Sequence, residues 1–195
     1  MSEGYITHKV TVGGPDLVMH NGQTSDPLNA FSKRIKEISG KQKKTDADHA
    51  LMSEIEFEAG LYINAARQVI IPSRVMEAAV CEGARKTKEG RLALSGMFID
   101  TDLVLQYDGG PMELEDLRKS ADHILKVSVR VGQARVMRTR PFFQNWSGSF
   151  LVSLNSEVAN AEALRQWVTN TGSFVGLGDW RPRHGRFSVL GFEAV

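Results

Sequence analysis

The chain has 195 residues, 42 % of them hydrophobic and 24 % charged, an ordinary balance for a globular protein that excludes long disorder. Its formal net charge of +1 excludes a globally basic nucleic-acid binder, so any such site must be a local cationic patch. Cys81 is the one cysteine, which excludes an internal disulfide framework and a multi-cysteine zinc site. No apolar run reaches the ~18 residues of a membrane span. The opening Met-Ser-Glu-Gly-Tyr lacks a basic segment followed by an apolar one, so a cytoplasmic protein with no membrane partner is expected.

In chain order, Ile6, Val10 and Val12 alternate with polar residues, the period of a half-buried strand. Gly13-Gly14-Pro15 reads as a break, Asp16 to Met19 as a resumption, and His20-Asn21-Gly22 as a turn. A helix is predicted from Asp26-Pro27 to Gly40, with Phe31, Ile35 and Ile38 on one face. The connector Lys41, Lys43 and Lys44 follows. Thr45 and Asp48 then form a capping-box pair for a second helix, which turns Leu51, Ile55 and Ala59 inward. Leu61 to Ile63 and Val69 to Ile71 read as strands, the latter in a central position.

Pro72-Ser73 starts a helix whose buried face is Val75, Met76, Ala79 and Val80. Arg91 to Tyr107 reads as two strands, Leu92 to Ile99 and Leu103 to Tyr107, and Met112 to Ser120 as a short acidic helix. Ile124 to Val131 alternates cleanly, a strand with one solvated face. Gly148 to Leu154 is a further strand, Glu157 to Asn170 a helix with Leu164, Trp167 and Val168 inward, and Arg186 to Val195 the last strand. This order predicts an α+β fold, a ferredoxin-like (RRM-like) antiparallel sheet with helices on one face. The chain reads as one domain, 1–195, with a helical insertion at about 26–60.

Two stretches carry the candidate chemistry. Gly176, Gly178, Trp180, Arg181, Arg183, His184, Gly185 and Arg186 crowd one segment between Ser173-Phe-Val175 and Ser188 to Phe192, both read as strands. Glycine permits close backbone approach, arginine matches phosphate geometry, and an indole offers a face for a base. The second stretch, Gly132 to Trp146, places Arg135, Arg138 and Arg140 ahead of Phe142, Phe143 and Trp146. Two such loops converging on one sheet face would form a groove for single-stranded nucleic acid, with Trp180 and Trp146 stacking bases. Lys41, Lys43 and Lys44 would reach a strand held by a neighbouring copy, giving a homo-oligomer assembled side by side along it.

Other chemistry is not expected. His8, His49 and His123 are scattered without ligand spacing, and Asp100, Asp102 and Asp108 lack the pattern of a calcium loop. Gly176-Leu-Gly178 lacks the third glycine and following helix of a dinucleotide loop, so neither metal nor cofactor is predicted.

Three features stand in an order that resembles the RAMP superfamily, the ferredoxin-like RNA-binding proteins of CRISPR effector complexes. Val69-Ile-Ile-Pro-Ser73 looks like its Ile-Pro-Gly-Ser-Ser segment. Gly176-x-Gly178 with Gly185 is similar to its C-terminal glycine-rich loop, and Gly14 to His20 resembles its opening strand with a polar residue at the exit. The Gly-Leu-Gly-Asp-Trp-Arg-Pro-Arg ending is also similar to that of small phage proteins.

The resemblance implies binding of RNA in preference to DNA and tiling along it. Subunits of this superfamily that cut target RNA carry an aspartate in the loop before the Ile-Pro segment, where this chain has Asn64-Ala-Ala-Arg-Gln68, so no enzyme is expected. Two alternatives stay open. One is a structural or assembly protein, for example of a phage, using the same loops for protein contacts. The other is an endoribonuclease with His184 or His20 as general acid or base.

Overall fold

The computed structural model describes residues 4–195. Its main sheet is antiparallel and built on two long strands, β1 (Tyr5–Val18) and β6 (Ala134–Asn155). The strand β3 (Met97–Ile99) pairs with the other side of β6, and β7 (Ser188–Ala194) with the other side of β1. The strand order is therefore β3-β6-β1-β7.

Along β1 and β6 alternate residues are buried. Val10, Val12, Phe150, Val152 and Leu154 face the helices α3 (Ser73–Ala84) and α6 (Ala161–Asn170), whose Met76, Val80, Leu164, Trp167 and Val168 complete the core. On the opposite face, Thr11 Oγ1 lies 2.8 Å from Ser149 Oγ across the sheet. This mixture of helices with an antiparallel sheet is an α+β fold.

Between β1 and α3 stand α1 (Ala30–Ser39) and α2 (Asp46–Gly60). Asn29, not Asp26, caps α1 by accepting from the Phe31 N–H, so the helix begins later than Pro27 suggests. The capping box of α2 forms as expected, with Thr45 Oγ1 accepting from Asp48 N–H and Asp48 Oδ2 from Thr45 N–H. Ile55 and Ala59 point inward, whereas Leu51 is exposed. Gly60 and Thr139 lie where α2 crosses the base of a two-stranded ribbon, which β5 (Ile124–Val131) makes with the first half of β6.

Several elements depart from the sequence reading. Gly13-Gly14-Pro15 does not break β1. Pro15 falls beyond the last β7 pair, Gly13 with Ser188, where its missing N–H costs the ladder nothing. A Cβ on Gly14 would lie 2.1 Å from the Arg186 carbonyl oxygen, so the glycine serves close approach and not a turn.

Ile70–Ile71 (β2) is not central. Among the described residues it pairs with β4 (Leu103–Val104) in a small separate sheet, and the segment 61–63 adds the bridge Ile63 to Val69 and the bond from Ile70 N–H to Tyr62 O at 2.9 Å. The segment read as a strand from Leu92 is a helix, α4 (Gly90–Gly96), until β3 begins. The alternating Leu92 and Leu94 that suggested a strand both face solvent, while Ala93 is buried. The acidic helix shrinks to α5 (Leu114–Leu117). Ser173-Phe-Val175 is no strand: α6 runs on through a π-type turn, Thr171–Val175, locked where Thr171 Oγ1 donates to the carbonyls of Trp167 and Ala79. The glycine segment therefore joins a helix to β7 and is not the tip of a hairpin.

Candidate nucleic-acid interface

The glycine segment is held down by its own backbone. Leu177 is buried, and its N–H donates to the Gly185 carbonyl at 2.9 Å, closing the segment on itself. Asp179 N–H donates to the Val18 carbonyl at 2.7 Å and Gly185 N–H to that of Asp16 at 3.1 Å, docking it on the exit of β1. Gly178 and Gly185 both take φ of +75°, and a Cβ on either would meet a carbonyl oxygen, that of Val18 at 2.0 Å or Leu177 at 1.8 Å. Gly176 N–H donates to Thr171 O at 2.7 Å. With the N–H groups of Gly176 and Gly185 engaged inside the protein, these two glycines shape the segment instead of cradling a phosphate.

What the docked segment presents is cationic. Arg183 is exposed and has no ion pair among the described residues; Arg186 is exposed and its Nε donates to Pro182 O at 2.9 Å. Arg181 makes only a loose pair with Glu82, at 3.5 Å between exposed side chains. Trp180 is half-buried with its ring 6.3 Å from that of His184. His184 Nδ1 lies 3.1 Å from Asp16 Oδ1, an anchor between segment and β1.

The second stretch does not form a matching loop. Gly132 to Trp146 lies in the ribbon turn and the continuous strand β6. Trp146 is 1 % exposed and its Nε1–H donates to Asp16 O at 3.0 Å, so it is a core residue and cannot stack a base. Arg138 is paired with Glu56, whose other oxygen accepts from Thr139 N–H at 2.8 Å. Arg140, 7 % exposed, donates through Nε to Asp179 at 3.0 Å and through Nη1 to Thr139 O at 3.0 Å. Arg135 alone of the three is exposed, near the ribbon tip opposite Arg130.

In the connector, Lys41 is bound to Asp48, and Lys44 Nζ donates to Lys41 O at 3.2 Å, so two of these lysines fasten the turn between α1 and α2. Lys43 is exposed. The Lys41 ammonium, with the Thr45 N–H, holds the Asp48 carboxyl down to about 2.

The strongest concentration of recognition chemistry lies where β1 ends beside the start of α3. Two open clefts of about 340 and 330 Å³ meet at Arg74. The first is walled by Tyr62, Ile63 and Ser73; the second by His20, Val75, Gly178 and Arg181. His20 stacks on Tyr62 at a centroid distance of 5.6 Å. Burial pushes the His20 imidazole below its usual pKa, Asp179 opposes this, and Arg181, Arg74 and Arg140 reinforce it. His20 is thus neutral at neutral pH, surrounded by cations. Burial raises the Tyr62 hydroxyl, with Arg74 working the other way.

The structure so brings together His20, Gly178 and Arg181 from the sequence reading, places Trp180 beside His184 on the same segment, and leaves Trp146, Arg138 and the lysine turn elsewhere. Tyr62 and Arg74 were missed. The signal for Arg74 is an arginine directly after a Pro-Ser helix start at a strand exit, where a long cation stands beside the positive end of the helix dipole.

Among the described residues, no helix is long and apolar enough to cross a membrane, and no cluster of His, Cys, Asp or Glu could hold a metal ion. No family model and no curated protein sequence matches the chain. Among solved structures, it is similar to a chain in the cryo-EM structure of the Type III-B Cmr-beta bound to cognate target RNA, with a TM-score of 0.63 at 10 % sequence identity. The match covers 98 % of this chain and 61 % of that one, so this chain spans less than two thirds of its length. At that identity the likeness is one of fold alone.

Proposed function

We propose that the protein binds single-stranded RNA without cleaving it, along the groove that crosses the start of α3 between β1 and the glycine segment. The observation that carries this reading is the meeting of two clefts at Arg74, with Arg181 on one side and the His20–Tyr62 stack between them. Arg74, Arg181, Arg183 and Arg186 contact phosphates, and Trp180 stacks a base. The similar solved chain comes from an assembly bound to target RNA, which favours RNA as the partner. The ferredoxin-like form of the fold belongs to the same reading: a strand–helix–strand–strand–helix–strand path through β1, α3, β3, β6, α6 and β7 accounts for the order β3-β6-β1-β7.

Assembly of copies along the strand is the finer part of the proposal. It draws on the ribbon, where Met137 is exposed and Val127, Val129 and Val136 are only half-buried, a surface suited to a protein neighbour.

Arg74→Glu and Arg181→Glu test the groove. Each should weaken binding of a single-stranded RNA oligonucleotide by about tenfold or more, since a hydrogen bond to a charged group is worth roughly 1.5–3 kcal/mol. Wild-type affinity in both variants would remove the groove from the binding surface.

A further inference from the structure

On the other side of the Asn21–Thr24 turn from the groove lies a third cleft, of about 450 Å³, between α1 and the base of the ribbon. That volume lies within the range of small-molecule sites. Its walls include Asn21, Thr24, Ser32, Lys36, Arg138 and Arg140, together with Glu56. Resting on the RNA reading above, we infer that this cleft is a ribonucleotide subsite, in which Lys36 and Arg140 hold a phosphate and Thr24 and Ser32 accept from a ribose hydroxyl.

The charges favour an anion. Glu56 is 4 % exposed and both its oxygens are engaged, one by Arg138 and one by the Thr139 N–H, so its charge is compensated. Arg140 is fixed by Asp179 and Thr139 O through Nε and Nη1, and Nη2 has no acceptor among the described residues. Lys36 is exposed, stands in the last turn of α1, and has no ion pair among the described residues. A phosphate in the cleft would thus meet a rigid guanidinium with a donor to spare and an ammonium free to reach it.

The hydroxyls point to ribose. Thr24 Oγ1 donates its proton to Asn21 O at 2.8 Å, and Ser32 Oγ donates to Thr24 O at 3.1 Å. With their protons committed, both oxygens offer lone pairs to the cleft and act there as acceptors. The 2′-hydroxyl of RNA is a donor that DNA lacks. Arg140 connects the two surfaces, since it lines this cleft, binds Asp179 of the glycine segment and bears on His20. A strand leaving the groove would pass Arg140 into the cleft, which gives the inserted helix α1 a part in binding.

Lys36→Glu and Thr24→Val/Ser32→Ala, made in the full chain, test this. Lys36→Glu should weaken binding of a single-stranded RNA oligonucleotide by about tenfold and reduce the log-log salt slope by about 0.7. The Thr24→Val/Ser32→Ala variant should lose affinity for RNA but not for DNA of the same sequence. In ¹H–¹⁵N spectra, adenosine 5′-monophosphate should shift the amides of Asn21, Thr24, Ser32 and Lys36. If these variants bind RNA like wild type while Arg181→Glu does not, the subsite is wrong and the groove stands. If the wild type binds no RNA, the groove reading fails and the nucleotide titration decides the cleft: shifts at those amides uphold it, and their absence overturns it.

Discussion

Arg140 donates through Nε to Asp179 Oδ2 at 3.0 Å, and this pair ties the long strand β6 to the glycine segment 39 residues further on. The arginine side chain is almost wholly enclosed, so its charge depends on that carboxylate. Asp179→Ala should destabilise the fold by roughly 3 kcal/mol, because it leaves an uncompensated buried charge. Asp179→Asn, which keeps an acceptor, should cost less. Urea denaturation of the two variants checks the order; equal stability of Asp179→Ala and wild type would contradict it.

Trp180 and Trp146 should separate binding from stability. Trp180→Ala is expected to weaken RNA binding by about one to two orders of magnitude, since stacking contributes roughly 1–3 kcal/mol per base. Trp146→Ala should instead destabilise the protein by roughly 3–5 kcal/mol, as the loss of a fully buried aromatic does. Parallel melting curves and binding isotherms read both effects. A large drop in melting temperature for Trp180→Ala would move that residue from the surface site to the core.

The contrast between these two tryptophans shows what was legible in the sequence. Caps, periodicity and the Pro-Ser start located α2, α3, α6 and β5, because those signals act over a few residues. The 22-residue β6 was not legible, since Pro141 and Gly148 inside it look like breaks. Its continuity comes from pairing with β1, whose ladder runs from Tyr5 with Asn155 to Val18 with Phe142. The arginines were legible as candidates, but their duties were not. Arg138 is committed to Glu56, 82 positions away. Arg74 was not among the candidates, because it becomes a groove residue only when β1 and α3 are brought side by side.

Stability should fall on acidification in two stages. Burial lowers His8 and His20 below the ordinary 6.5, so the unfolded chain takes up protons first and stability declines as pH drops below about 6.5. Asp48, held down to about 2 against an ordinary 3.8, contributes stability that is present above 3.8 and lost as pH falls toward 2. Thermal melts between pH 8 and pH 2 should show both stages. His8→Gln should flatten the first only, and an unchanged profile in that variant would contradict the assignment of His8.

Labelled single-stranded RNA should remain intact on prolonged incubation with the purified protein. The two loop histidines, His184 held at Nδ1 by Asp16 and His20 stacked on Tyr62, are the controls. Products that disappear in His184→Ala or His20→Ala would show an endoribonuclease in place of a non-catalytic binder.

The central claim is tested most directly by the salt dependence of wild-type binding to a fluorescent single-stranded RNA, with duplex RNA as the comparison. If Arg74, Arg181, Arg183 and Arg186 each neutralise one phosphate, log Kobs should fall against log salt with a slope of about −3 or steeper, at about −0.7 per phosphate. The duplex should bind more weakly, because its bases are not free to stack on Trp180. No binding to the single strand at low salt, or a slope near zero, would contradict the account.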